Sequence, residues 1–275
     1  MSKLAAIVAA NVANAPKSIV PVAVVVGGTA GIGAAVAETL ARHTHGRAHI
    51  LLVGRNQSAA DEIISRLPKS VDGGKYEFVQ CDVSSMRNVG SVTRALAGRL
   101  DRVNYLVMSP GILSMAGRRP TEDGVDFKVA LHYYGRFKFA RDLVGLLEKA
   151  AEKGEPARVM SILDSKSGGP IFADDMALER NYSVSNAAST ACTYNSAAMV
   201  VRCLNRCMIA TSSSDDHLIP AGFGAKASNS VVYARLSGSR QYERIRQASA
   251  SIHYEPSPTR CTMSSACPHT TAAST

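Results

Sequence analysis

Apolar residues recur at two different spacings between positions 20 and 163. Short continuous apolar runs predict buried strands, whereas the segments between them carry apolar residues at helical spacing. The predicted strands cover residues 22–26, 49–53, 76–80, 105–108 and 158–163. The predicted helices cover residues 34–44, 58–67, 84–100 and 123–153. We expect Ser58, in a capping box with Asp61, and Ser84 to begin two of these helices.

Strand and helix alternate strictly, with short connections. This order predicts right-handed crossovers and an α/β fold, namely a Rossmann-like, doubly wound parallel sheet with helices on both faces. The pattern fades near residue 200, beyond which Ser, Ala, Thr, Arg and Cys dominate and a single strand, 230–234, is plausible. We therefore divide the chain into a dinucleotide-binding domain, 1–199, and a C-terminal segment, 200–275, which is either a divergent extension or a shifted reading frame.

A glycine-rich loop follows the first predicted strand, in the sequence Gly27-Gly28-Thr29-Ala30-Gly31-Ile32-Gly33. Gly27 lets the chain turn sharply, Gly31 brings the backbone close to a pyrophosphate, and Gly33 lets the first helix pack closely. The helix that follows directs its N-terminal amides and positive dipole end at the phosphates. A strand, this loop and a helix in the first βα unit predict a dinucleotide site.

Composition narrows the choice of partners. The formal net charge is +9, but the basic residues are scattered and have no interleaved aromatic platform, which disfavours nucleic acid. The six cysteines lack the spacing of a zinc site or of a disulfide framework, so we expect no metal. No apolar stretch is long enough to span a membrane, and no signal or transit peptide is evident, so a cytoplasmic location is the expectation. Self-association into a homo-oligomer is compatible with these features.

The spacing Gly-x-x-x-Gly-Ile-Gly resembles that of the short-chain dehydrogenase/reductase family, and the resemblance extends through Leu163 and more loosely to Met199. It implies that cofactor contacts come from the loop and from the ends of the next three strands. The residues concerned are Gly27, Thr29, Gly31, Ile32, Gly33, Arg55, Asn56, Asp82, Val83, Ser109 and Gly111. Arg55 stands where a carboxylate would select NAD, and it can pair with a 2′-phosphate. The expected cofactor is therefore NADP (NADPH).

The resemblance also implies a proton relay beside the nicotinamide. In the family a Tyr donates the proton, a Lys one helical turn later lowers its pKa, a Ser polarises the substrate carbonyl, and an Asn holds water. The Asn position is matched by His132, and Ser165 stands one place later than the expected Ser. Two tyrosines compete for the acid: Tyr182, with Asn186 at the Lys position, and Tyr194.

Tyr194 has Ala198 at the Lys position, so neither tyrosine has a lysine four residues later on its helix. His132 could serve as an acid near neutral pH instead. We expect an NADP-dependent oxidoreductase of small carbonyl compounds or alcohols with degraded catalytic residues and weak activity. The alternatives are a non-catalytic NADP-binding sensor or scaffold module and a truncated, inactive product.

Overall fold

The computed structural model describes residues 18–164 and 167–199 and the backbone of 200–210, together with Ala5 and Ala9. Strands and helices alternate as far as the fifth strand, and a long helix follows. In chain order the elements are β1 (Val22–Val26), α1 (Gly31–His43), β2 (His49–Gly54), α2 (Gln57–Arg66), β3 (Lys75–Gln80), α3 (Met86–Arg99), β4 (Tyr105–Met108), α4 (Phe127–Val129), a π-helical segment (Ala130–Tyr134), α5 (Gly135–Asp142), α6 (Val144–Glu152), β5 (Arg158–Ser161) and α7 (Val184–Ala210).

The five strands form one parallel sheet in the order β3-β2-β1-β4-β5. The central strand β1 pairs with β2 from Val22 to Val26 and with β4 from Ala23 to Val26. The strand order reverses at β1, and ligands of such sheets bind at this point, beside the carboxyl ends of the strands. The predicted doubly wound α/β fold is confirmed.

Two apolar layers cover the sheet. Val24 and Val26 of β1 face the layer formed with α3, α5 and α6, and Ala23 and Val25 face the layer formed with α1 and α2. All five residues of β1 are buried, which explains why its sequence is continuously apolar rather than alternating. The fold thus holds the glycine loop that follows β1 at the centre of the sheet's carboxyl edge.

Several element boundaries differ from those predicted. Asn56, not Ser58, caps α2 by accepting a 3.1 Å hydrogen bond from the Ala59 amide. Ser85, not Ser84, caps α3, because the Ser84 hydroxyl donates to Asp82 instead. In both cases a residue one or two positions away, also of a type that caps helices, occupies the position at which the chain turns into the helix.

The predicted helix 123–153 is interrupted. It begins after Asp126, whose carboxylate accepts from the amides of Lys128 and Val129, and it contains the π-helical segment. A break at Leu143 separates α5 from α6. A π-helical turn inside a helix is a frequent feature of functional sites.

A third apolar cluster joins the helical stretch 127–142 to α7. Tyr133 of the π-helical segment packs against Tyr194 of α7, with ring centroids 5.3 Å apart. Helix α7 continues through the proposed boundary at 199/200, and residues 211–275, with the predicted strand 230–234, lie outside the described residues. Across the described residues, none of the helices combines the length and apolar character that crossing a membrane requires.

Candidate active site

The glycine loop is held tightly where it leaves β1. Gly27 has a φ of +76°, and a Cβ there would lie 2.7 Å from the Pro110 nitrogen. A Cβ on Gly33 would lie 2.3 Å from the Gly27 carbonyl oxygen. Both positions therefore require glycine, one for the turn and one for the close approach of α1 to its own loop.

Gly31 differs from these two glycines because open space lies beside it. Its φ is +54°, and a Cβ at this position would meet no atom within 4 Å. Helix α1 begins here without a side-chain cap and without an acidic residue in its first turn. Its first amides therefore have no side-chain cap and lie at the positive end of the helix dipole, an arrangement that suits the pyrophosphate of a dinucleotide.

The other predicted cofactor residues follow the carboxyl ends of β2, β3 and β4. Arg55 and Ile32 are exposed, whereas the Asn56 side chain is used to cap α2. The Asp82 carboxylate accepts from the amide and the hydroxyl of Ser84, at 2.9 and 2.7 Å. Thr29 is half-buried against Gly54, and Val83 is buried.

Ser109 and Gly111 lie beside the loop and beside His132. The Ser109 amide donates to the Val26 carbonyl oxygen, and a Cβ on Gly111 would lie 3.2 Å from His132 Nε2. The structure thus brings the ends of β1 and β4 together at the carboxyl edge of the sheet, where the strand order reverses. We call this place, beside the glycine loop, the crevice. Thr29 belongs to the glycine loop itself, and Arg55 and Asp82 follow β2 and β3, the strands on one side of β1.

His132 lies in the π-helical segment and faces the loop after β4. Its Nε2 accepts a 2.9 Å hydrogen bond from the Ile112 amide. Burial, reinforced by the positive charge of Arg136, lowers the pKa of His132 to about 4. The ring is therefore neutral at pH 7 and its Nε2 is already an acceptor, an arrangement that favours a positioning role for His132 in the loop over the role of an acid.

A buried arginine, which the sequence did not suggest, ties the ends of β4 and β5 together. The Arg136 guanidinium donates to the Ser161 hydroxyl at 2.9 Å, to the Ile162 carbonyl oxygen at 2.7 Å and to the Pro110 carbonyl oxygen. Burial lowers the pKa of Arg136 to about 10, so the group stays charged at pH 7.

The network continues into α7. The Ser161 hydroxyl donates to Asn195 Oδ1 at 3.2 Å, and Asn195 Nδ2 donates to the His132 carbonyl oxygen. The sequence signal for this network is the four-residue spacing of Lys128, His132 and Arg136, three basic residues that share one face of the helical stretch 127–142.

Tyr194, one of the two candidate acids, belongs to the core. Its ring is 1% exposed, and its hydroxyl oxygen accepts a 3.2 Å hydrogen bond from the Phe172 amide. Burial raises the pKa of Tyr194. Because the residue is so deeply buried, the geometry disfavours Tyr194 as an acid.

Tyr182, the other candidate, is only half-buried and lies just before α7. Its hydroxyl oxygen is 2.7 Å from Nζ of Lys128, a buried lysine at the start of the helical stretch 127–142. The lysine that is missing four residues after Tyr182 is thus replaced in space by one from another helix. Sequence reasoning missed it because it searched only along α7.

Asn186 and Ser165 are the two remaining predicted catalytic residues. The side-chain Nδ2 of Asn186, in the first turn of α7, donates to the Asn181 carbonyl oxygen at 2.8 Å, just before the helix. Ser165 lies outside the described residues. Asp175 accepts from the amides of Glu179, Arg180 and Asn181, and it thereby orders the loop that leads to Tyr182.

Known proteins resemble this chain in sequence and in fold. The family model for short chain dehydrogenases matches residues 21–197. Oxidoreductase AN1596 of Emericella nidulans is 33% identical over 64% of this chain and 52% of its own length. The human polyprenol dehydrogenase is 30% identical over 51% of this chain and 42% of its own length. The chain therefore spans about half the length of these curated relatives.

Among solved structures, the Pseudomonas aeruginosa RhlG/NADP active-site complex is similar, with a TM-score of 0.51 and 21% identity. The match covers 69% of each chain. At this identity the likeness concerns the fold.

Proposed function

The chain belongs to the short-chain dehydrogenase family, and from this premise we propose that it is an NADP-dependent oxidoreductase that interconverts a carbonyl compound and the corresponding alcohol. The observation that carries the proposal is the glycine loop after β1. Its open face at Gly31 and the uncapped start of α1 provide the backbone amides that a pyrophosphate needs. An alcohol substrate is also consistent with the name of the human relative, a polyprenol dehydrogenase.

NADP is favoured over NAD by the residue that follows β2. Arg55 is exposed and forms no ion pair with any residue in the described part of the chain. A guanidinium can bind a phosphate through two parallel hydrogen bonds, whereas a ribose hydroxyl would be better served by a carboxylate. The free Arg55 side chain therefore suits the 2′-phosphate of NADP.

Tyr182 is the proposed proton donor. When bound, the nicotinamide of the cofactor would deliver a hydride to the carbonyl carbon or accept one from the alcohol. The Tyr182 hydroxyl would give its proton to the carbonyl oxygen, and in the opposite direction its deprotonated oxygen would take the proton from the alcohol. Its half-exposed position permits this, and the buried position of Tyr194 does not.

The conservative variants Tyr182→Phe and Tyr194→Phe test the assignment. We expect Tyr182→Phe to lower the rate of NADPH-dependent carbonyl reduction by roughly a hundredfold or more, because general acid catalysis contributes about 10²–10⁴. Tyr194→Phe should keep most of the activity, since its hydroxyl only bonds a backbone amide. The measurement is NADPH oxidation with a panel of aldehydes and ketones from small and polar to long and apolar.

A wild-type protein that binds NADPH but reduces none of these compounds would instead support a non-catalytic NADP-binding module. Equal rates for Tyr182→Phe and the wild type would remove Tyr182 from the mechanism.

A further inference from the structure

We propose that Lys128 supplies, from the helical stretch 127–142, the positive charge that Tyr182 needs in order to release its proton. This inference rests on the proposed function and extends it, because it takes the lysine of the tyrosine–lysine pair from a different part of the chain. In the family pattern that the sequence resembles, the lysine would follow Tyr182 at position 186, in the first turn of α7. Lys128 acts through Tyr182 and is therefore a positioning residue.

The environment of the Lys128 ammonium is the first argument. The residue is 5% exposed, although lysine is rarely buried unless it is paired. Its Nζ donates to the Ala116 carbonyl oxygen at 2.6 Å, to the Tyr182 hydroxyl oxygen at 2.7 Å and to the Gly117 carbonyl oxygen at 3.4 Å. These three acceptors use all three N–H groups of the ammonium.

The charge of these partners is the second argument. All three acceptors are neutral, so a buried positive charge faces no negative one at this point. Burial of a charge without a counter-charge is costly, and a neighbouring negative charge offsets that cost. Loss of the Tyr182 proton would create such a charge 2.7 Å away, so Lys128 stabilises the deprotonated hydroxyl.

The rigidity of the surroundings is the third argument. Asp126 fixes the start of α4, because its carboxylate accepts from the amides of Lys128 and Arg119 at 2.9 Å. On the other side, Asp175 orders the loop before Tyr182, and Ser183 caps α7 by accepting from the Asn186 amide at 2.9 Å. The two partners are therefore brought together by separately anchored segments.

The other charged groups near the pair are already engaged. Both oxygens of Asp126 bond backbone amides. Arg118 lies 3.9 Å from Glu179, and its guanidinium donates to the Gly124 carbonyl oxygen. His132, one helical turn beyond Lys128, is neutral at pH 7 with its Nε2 on the Ile112 amide. This leaves Lys128 as the cation that contacts the Tyr182 hydroxyl among the described residues.

Substitutions at both lysine positions test the inference on the full chain. Lys128→Gln removes the charge but keeps a donor for the Ala116 carbonyl oxygen, and Lys128→Arg keeps the charge. We expect Lys128→Gln to lower kcat roughly ten- to a thousandfold with unchanged NADPH affinity. Lys128→Arg should recover part of the rate. Lys128→Gln combined with Asn186→Lys should also recover it, because it returns a cation to α7.

Lys153→Met, at the exposed end of α6, is the matched control and should leave kcat unchanged. The acid-side limb of the pH profile for alcohol oxidation should also move to higher pH in Lys128→Gln, an effect that a purely structural role for Lys128 would not produce.

A second readout does not depend on turnover. The ultraviolet absorbance of tyrosinate is followed against pH in the wild type and in Tyr182→Phe, and the difference reports Tyr182 alone. We expect this difference to develop at higher pH in Lys128→Gln than with Lys128 in place. Lys128→Met, which also lacks the charge, serves for the same comparison if Lys128→Gln does not fold.

The outcomes separate the two proposals. A wild-type protein without turnover contradicts the proposed function, and the absorbance difference then decides the role of Lys128. An absorbance difference that develops at the same pH with Lys128 and with a residue that lacks its charge overturns the inference. So does an active Lys128→Gln protein with the wild-type kcat and pH profile.

Discussion

Three ionisable side chains lie four residues apart in the helical stretch 127–142: Lys128 and Arg136 are buried, and His132 between them is half-buried. Each one bonds backbone oxygens or amides of a loop that leaves the carboxyl edge of the sheet. Lys128 holds the loop at Ala116, His132 holds it at Ile112, and Arg136 holds it at Pro110. At the residue scale, this stretch therefore fixes the shape of the loop after β4.

The protonation of His132 makes this arrangement sensitive to pH. Its pKa in the folded protein, about 4, lies below the ordinary value of 6.5. A group with a lowered folded pKa contributes stability that is present above pH 6.5 and is lost as the pH falls toward 4. We expect the free energy of unfolding to fall by roughly 2–3 kcal/mol across this window because of His132.

Urea unfolding at several pH values between 7 and 4.5 measures this effect. His132→Asn should flatten the dependence, whereas His45→Asn, at an exposed site with a φ of +52°, should not. Glu77 affects the free energy of unfolding only at lower pH. Burial alone would raise the pKa of Glu77, but hydrogen bonds from Arg99, His49 and Lys75 lower it to about 2. An unchanged slope in His132→Asn would show that the histidine is not the responsible group.

At the element scale, Arg136 joins three separate elements. It lies on α5 and bonds the backbone that follows β4 and the hydroxyl and backbone at the end of β5. Through Ser161 and Asn195 the same network reaches α7. The carboxyl ends of β4 and β5 are therefore positioned by one guanidinium whose partners are uncharged oxygens.

Arg136→Met removes these bonds and leaves buried carbonyl oxygens without donors. Because each such group costs about 1–3 kcal/mol, we expect the free energy of unfolding to fall by roughly 2–5 kcal/mol. Arg141→Met, on the same helix, removes a partly exposed pair with Asp142 and should cost at most about 1 kcal/mol. Denaturant unfolding of both variants gives the comparison, and equal stabilities would show that Arg136 has no role in holding the strands.

The spacing of apolar residues along the sequence was sufficient to predict the sheet and the order of its strands and helices. The strands β1 and β2 are buried on both faces, and their residues are correspondingly apolar. The glycine loop was also predictable, because a turn at Gly27 and a close approach at Gly33 each permit one residue type.

The partner of Tyr182 was not predictable in this way. Lys128 and Tyr182 lie 54 positions apart, and their contact depends on how α7 packs against the helical stretch 127–142. Motif spacing on one helix carries no information about such a contact. The helix caps were misplaced for a simpler reason, since Ser84 and Ser85 have equal capping chemistry.

At the scale of the whole molecule, the described part forms the parallel sheet, the helices on its two faces, the crevice at the glycine loop, and α7, which follows β5. The chain covers 52% and 42% of the lengths of the two curated relatives compared above, so its activity as a whole protein is a matter for experiment. The central proposal for this molecule is that the crevice at the glycine loop binds NADP in preference to NAD.

Titration calorimetry of the full chain with NADPH and with NADH, at one salt concentration, tests this claim most directly. We predict that NADPH binds roughly ten- to a hundredfold more tightly, the range expected for hydrogen bonds to a charged group. Arg55→Asp should narrow or reverse the difference, whereas Arg158→Asp, at the opposite end of the sheet, should leave it unchanged. Equal affinities for the two cofactors would contradict the preference, and the absence of binding by either would contradict the cofactor site itself.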